Sequence, residues 1–224
     1  MRAHRVVLPI VLFALASCGG RHAAREQTAP TAESRAALYA IADEYVAAAL
    51  ARDPSPAYYS RQLELERHDA LPDNSDAGRR AWERREDEWL ARLDAIDAQP
   101  FDDRAAQVLD AQLREALEAS VGLRVCHAER WNVTHFGGWH AALAELADRQ
   151  PVATPAERAQ ALRRWRGFAA YVDNEIAAAR RGLDTGYSVP RPIVDRVVAQ
   201  VDALIVAKPG DSAFYAPANH ANDP

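Results

Sequence analysis

Seven histidines, two cysteines and 32 acidic residues are the raw material for a metal site or an acid–base pair, and their spacing decides what chemistry is open. His127-Ala128-Glu129 has the His-x-Glu form of a zinc deaminase, but no Pro-Cys-x-x-Cys follows it. His135 and His140 are five residues apart, about 140° around a helix, and Gly137-Gly138 falls between them. A helical zinc pair needs His-Glu-x-x-His, with both rings on one face and the glutamate as base. That string does not occur, so the histidines read as polar or capping residues and no metal ligand is assigned. Cys126 and His127 are adjacent, about 100° apart on a helix, and so do not face each other as nucleophile and base. Cys126 reads as a buried, inert thiol. Gly137-Gly138 has neither a preceding strand nor a phosphate-loop lysine, which excludes a nucleotide loop.

Arg191 breaks a local rule. Pro192 pushes the residue before it out of helical geometry, which makes Arg191 the expected N-cap of the last long helix. Arginine caps poorly: its charge opposes the positive helix end and it accepts no bond from the exposed N–H groups. An arginine at a helix N-terminus can instead grip a carboxylate through two parallel bonds. Tyr187, Trp131 and Trp139 are the aromatic candidates for substrate contact beside it, although tryptophans more often serve a core. No complete catalytic set is visible.

A chain of 224 residues with 49% hydrophobic residues can bury one real core. The formal charge of -5 argues against nucleic acid, which requires a basic footprint. Sparse glycine and Ala-rich amphipathic runs point to an all-α fold.

The elements that must position these residues follow in order. Residues 1–17 read as a lipoprotein signal peptide: Arg2 and Arg5, an apolar run too short to span a bilayer, then Leu15-Ala16-Ser17-Cys18. The last four resemble a bacterial lipobox, which implies lipidation of Cys18, a membrane anchor through acyl chains and a place in the cell envelope. Gly19, where Asp would signal retention, implies the periplasmic side of the outer membrane. In that setting the sequon Asn132-Val133-Thr134 is a coincidence, and Cys126 has no disulfide partner. Residues 18–32 read as a tether and 33–224 as the helical domain.

Six helices are expected in an irregular array. The first, capped by Thr31 or Ser34, carries Leu38, Ile41 and Tyr45 and ends at Asp53-Pro54. The second starts at Ser75 or Asp76 and carries Trp82, Trp89, Leu93 and Ile96; its Arg/Glu-dense face reads as solvated, with pairs such as Glu88–Arg92. Pro100 ends it. The third starts at Asp102 or Asp103 and carries Val108, Leu109, Leu113, Leu117 and Val121. Residues 122–138 are irregular and 139–150 helical. Thr154-Pro155-Ala156-Glu157 is a capping box opening one long helix, with Leu162, Trp165, Phe168, Val172, Ile176 and Leu183 on its stripe and Gly182 and Gly186 as stop signals. A last helix covers 193–205, and 213–224 reads as loop.

Several strings carry a resemblance: Arg124 through Val133 with its Trp131-Asn132-Val133 ending; Gly138-Trp139 with Gln150-Pro151-Val152; Arg181-Gly182-Leu183 with Gly186-Tyr187, Pro190-Arg191 and Gln200; and Leu71-Pro72-Asp73-Asn74-Ser75 with Leu93 through Asp97. Over about residues 38–217 the chain resembles the bacterial family labelled domain of unknown function 885. The resemblance implies a helical, often lipid-anchored protein similar to zinc carboxypeptidases and oligopeptidases. Such proteins continue further and carry His-Glu-x-x-His in their later part. Ser212 through Pro217 is similar to the family's mid-chain Ser-Pro-Phe turn. The resemblance therefore implies a scaffold and cleft-wall portion, with no cofactor in this chain and with zinc and a peptide substrate expected only in a full-length relative. It also gives Arg191 a use, as anchor for a peptide's carboxylate. The residues leave a helical binding or structural lipoprotein open as the other reading.

Overall fold

The structure is a computed structural model, and it describes residues 32–56, 67–96, 101, 103–206 and 208–220. Cys18, nearly all of the tether, Thr31, Pro100 and Asp102 lie outside these residues. The described residues form helices and turns, with no strand among them.

Three helices build the first core: α1 (Ala32–Arg52), α2 (Asp76–Ala95) and α3 (Arg104–Leu123). Ser75 caps α2 by accepting the Gly78 N–H, and Asp103 caps α3 by accepting the Ala105 N–H. Ser34, by contrast, lies inside α1 and does not cap it. Leu38, Ile41, Trp89, Leu93, Leu113 and Leu117 are buried together, and Tyr45, Trp82 and Trp89 meet with ring centres 5.4 to 5.8 Å apart. These tilted and edge-on contacts suit the ring quadrupoles. Val108, expected on the α3 stripe, is instead exposed.

The polar face of α2 is not wholly solvated. Glu86 is 2% exposed and accepts from Trp82 Nε1, from Ser120 Oγ at 2.6 Å and from Arg124 Nη2 at 2.8 Å. Its burial is tolerated because donors from two helices and the following turn meet it. Arg92 pairs across to Glu44 at 2.5 Å, in place of the expected neighbour Glu88. The guanidinium holds the Glu44 carboxyl below its usual range.

The second half comprises α4 (Trp139–Asp148), α5 (Pro155–Arg166), α6 (Phe168–Asp184), α7 (Arg191–Leu204) and a short α8 (Ala216–His220). Two 3-10 turns, Arg124–Cys126 and Ala128–Arg130, lead from α3 towards α4. The capping box at Thr154 and Glu157 forms, and the bond from the Thr154 backbone holds the Glu157 carboxyl below its usual range. The expected single long helix is two. Gly167 ends α5 and starts α6, which raises the helices of ten or more residues to seven among the described residues. Gly182 lies inside α6, and Gly186, with φ +85, follows its end. Splitting the helix also splits its stripe: Ala161 is buried and Trp165, Phe168 and Val172 are half-buried, whereas Leu162, Ile176 and Leu183 are exposed. The expected loop after 212 instead contains a 3-10 turn (Ala213–Tyr215) and α8.

Arg164 locks the second half. It is 1% exposed and donates to the Ala70 carbonyl at 2.9 Å, to Gln150 Oε1 at 2.7 Å and to the Arg67 carbonyl. These bonds fix the stretch that leads into the Leu71–Ser75 loop against α5.

Replacing Glu86 by Ala leaves three donors facing a void. The expected loss is about 3 kcal/mol in urea unfolding, in the range for breaking a buried charged network; Glu86→Gln, which keeps an acceptor, should lose less. A loss from Glu86→Ala below about 0.5 kcal/mol, the scale of an ordinary surface substitution, contradicts the network.

Candidate functional site

A polar cavity of about 260 Å³ lies where the end of α1, the 72–74 loop, the 129–132 turn and α6 meet. Each wall has a local cause. Asp53 closes α1 and accepts the Ser55 N–H at 2.9 Å. Asp73 Oδ1 accepts the Ser75 N–H at 3.0 Å and so shapes the loop before α2. Asn74 ties that loop to α6: its Nδ2 donates to the Tyr171 carbonyl and to Glu175 Oε1, both at 2.9 Å, while its Oδ1 accepts from Asn174 at 3.0 Å. The 129–132 turn approaches α6 because Gly182 has no side chain; a Cβ there would overlap the Arg130 carbonyl oxygen.

His127 stands between the two 3-10 turns at φ 47, a left-handed conformation that few residues other than glycine adopt and in which asparagine, aspartate and histidine are enriched. Its ring meets Tyr187 edge-on at 5.8 Å, and the Arg130 guanidinium sits 5.5 Å from the same Tyr187 ring. The segment after α6 is thereby pinned to the turn that supplies Glu129 and Asn132.

The cavity brings Asp53, Asp73, Glu129 and Glu175 together with Arg52 and Arg79. Arg79 pairs with Glu83 at 2.7 Å. Tyr171 faces this charge, and its hydroxyl is pushed up to about 12, first by burial and then by the Glu175 and Asp53 carboxylates. A second cavity of about 290 Å³ shares Asp53, Pro72 and Tyr171 and adds Trp139, Leu143 and Leu146. A third, also about 290 Å³ and lined mainly by apolar side chains, adds Phe168, Val172, Val201 and Phe214 around Trp139. The three together grade from charged to apolar. Such a set has the form of a site for a flexible polar-and-apolar chain, with charged groups at one end and apolar ones at the other.

The structure separates the four site residues expected from sequence. Trp139 lines two of the three cavities. Trp131 is 45% exposed and donates from Nε1 to the Cys126 carbonyl at 3.0 Å. Tyr187 is half-buried against His127 and Arg130, and it, Trp131 and Arg191 are absent from the walls of all three cavities. Arg191 is not the N-cap. Pro190 holds that position, Arg191 is the first helical residue, and its side chain is 91% exposed, 3.8 Å from Asp195. Pro190 already has the fixed φ that precedes a helix, so the start moves back by one residue. Cys126, expected buried, is exposed. His140 is 4% exposed and its Nε2 meets Gln200 Oε1 at 3.0 Å. Among the described residues no three of His, Cys, Asp and Glu stand together as metal ligands.

Sequence reasoning passed over Asn74, Tyr171 and Glu175 as individual site residues. Asn74 belongs to the Leu71–Ser75 string, and Tyr171 and Glu175, four apart on α6, share a face.

Residues 54–223 match the family described as "Bacterial protein of unknown function (DUF885)". The chain belongs to that family. The match begins later than the expected residue 38, so α1 precedes it while still supplying core. No curated protein and no solved structure matches the chain. Two of the strings that carry the resemblance line the polar cavity: Pro72-Asp73-Asn74, and Glu129 with Asn132. Trp139 from a third lines the next one, and Gly182 from a fourth lets α6 close on the turn.

Tyr171 makes the site sensitive to alkali. Its folded value lies above the ordinary tyrosine value of 10.0, so the native state keeps a proton that the unfolded chain releases. Stability present below pH about 10 is therefore lost as the pH rises towards about 12. Tyr171→Phe should flatten that decline in urea unfolding and remove the latest phase of the tyrosine absorbance titration. An unchanged decline and titration in Tyr171→Phe would place the ionisation elsewhere.

Proposed function

We propose that this chain forms the scaffold and cleft wall of a cell-envelope lipoprotein of zinc carboxypeptidase-like or oligopeptidase-like type. The observation that carries the proposal is the graded run of cavities at which separate family strings converge. A peptide, with its alternation of charged ends and apolar side chains, fits that gradient better than a small apolar ligand does. The chain holds walls and orienting groups but no His-Glu-x-x-His, so hydrolysis requires zinc ligands from outside it. Trp139 is the expected site residue with the best claim to substrate contact, because it separates the mixed cavity from the apolar one. Arg191 stands open to solvent at the start of α7, available to a carboxylate once the long contact to Asp195 yields. In this proposal Cys18 carries the lipid and anchors the protein at the periplasmic side of the outer membrane.

Two measurements test this reading. Metabolic labelling with a palmitate analogue should mark the chain and fail on Cys18→Ala. The dialysed chain should hold no stoichiometric zinc and release no products from a mixed peptide library. Labelling that survives Cys18→Ala overturns the anchor, and one tightly held zinc per chain with peptide release overturns the division of labour.

A further inference from the structure

The polar cavity is built to accept hydrogen bonds from a cation. Four carboxylates, Asp53, Asp73, Glu129 and Glu175, share its walls with two guanidinium groups. Both guanidinium groups are engaged by residues outside those walls. Arg79 bonds Glu83 at 2.7 Å and stands 3.7 Å from Asp76, and Arg52 lies over the Trp82 ring at 5.0 Å.

The four carboxylates are not equivalent. Asp73 belongs to the start of α2, where its side chain accepts the Ser75 N–H and lies against Gly78. Glu129 has His127 and Arg130 at 3.5 and 3.6 Å. Asp53 and Glu175 are half-buried, and each uses one oxygen locally: Asp53 Oδ1 accepts the Ser55 N–H and Glu175 Oε1 the Asn74 amide, both at 2.9 Å. Among the described residues no cation pairs with Asp53 or Glu175, and no donor reaches their second oxygens. Both carboxylates act on the Tyr171 hydroxyl, so they serve the same part of the cavity. Two half-buried anions without a protein cation attract a ligand cation and repel a ligand carboxylate.

The shape of the opening selects among cations. Among the described residues no three His, Cys, Asp and Glu groups stand together to hold a metal ion. A lysine-type ammonium would lay its methylenes along the charged walls. An α-ammonium is bonded directly to Cα, so a peptide's first side chain starts beside it. Asp53 and Tyr171 line both the polar cavity and the next one, whose further walls include Trp139, Leu143 and Leu146. An ammonium at Asp53 therefore sets the first side chain against an apolar wall.

We infer that the polar cavity receives the free α-ammonium group of a peptide between Asp53 and Glu175, and that the Trp139 cavity takes the same peptide's apolar first side chain. This orientation rests on the peptide reading proposed above and states which end of the peptide enters. Asp53 and Glu175 are its specificity-determining residues.

Three tripeptides with a free carboxylate decide it: one with leucine first and a free amine, the same peptide N-acetylated, and an N-acetylated one with lysine first. Each is titrated into the full chain in mild detergent, and its dissociation constant is read from the Trp139 indole signal. The free-amine peptide should bind at least roughly tenfold more tightly than either acetylated one. Its advantage should fade as the pH passes about 8, where an α-amine loses its proton, and this separates charge from the bulk of the acetyl group. Asp53→Asn with Glu175→Gln keeps an oxygen for Ser55 and for Asn74, so the melt should hold. That double variant should bring the free-amine and acetylated leucine peptides within about twofold of each other. Equal binding of those two by the unaltered chain, or an advantage that survives the double variant or the rise in pH, overturns the amine anchor and leaves the peptide reading standing. Tight binding of the acetylated lysine peptide overturns it in favour of a side-chain cation. No binding of any peptide at millimolar concentration overturns the peptide reading and the orientation with it.

Discussion

The buried guanidinium of Arg164 is the constraint on which the site depends. It stands in a nearly water-free position, where an unsatisfied charged donor would be very costly. Carbonyl oxygens at 67 and 70 and the Gln150 side chain receive its N–H groups. That requirement draws the stretch ahead of Leu71 onto α5, and so determines where the following loop can run. Asn74 then completes the loop's attachment to α6. The polar cavity follows from these two attachments, because its wall at 72–74 has no regular structure of its own to hold it.

The first half obeys a similar logic with the opposite charge. Glu86 sits in the helical core and collects donors from Trp82, Ser120 and Arg124. Arg124 starts the turn that ends at the cavity, so the bond to Glu86 also orients the segment that brings Glu129 and Asn132 to the site. One buried acidic and one buried basic side chain therefore each hold a different part of the wall of the same opening. Gly182 closes the remaining gap by allowing backbone contact between α6 and the 3-10 turn.

Much of this was legible in the sequence where local chemistry decides it. The caps at Ser75, Asp103 and Thr154 and the stripe of Trp89 and Leu93 follow from side-chain hydrogen bonding and a 3.6-residue period. Arg164 and Glu86 were not legible as interior, because each lies in a run of charged residues; Glu86 falls on the stripe of Trp82, Trp89 and Leu93 by spacing, but its charge reads as solvated. Only long-range partners identify them as interior. The break at Gly167 was hidden for a related reason: apolar residues on both sides continue one stripe, and the bend appears only when α5 and α6 pack separately. Cys126 was misplaced because its neighbours are apolar or aromatic, yet a 3-10 turn leaves it at the surface. The cavity draws residues from positions 52 to 178, and no single window shows that assembly.

The central claim is that the graded cavities receive a peptide. The most direct measurement is a nitrogen–proton correlation spectrum of the full chain in mild detergent during titration with short peptides bearing a free carboxylate. The account predicts that the Asn132 side-chain amide and the Trp139 indole signal shift together and saturate, while the core indole of Trp89 stays still. Shifts confined to other surfaces, or none at millimolar peptide, would contradict it.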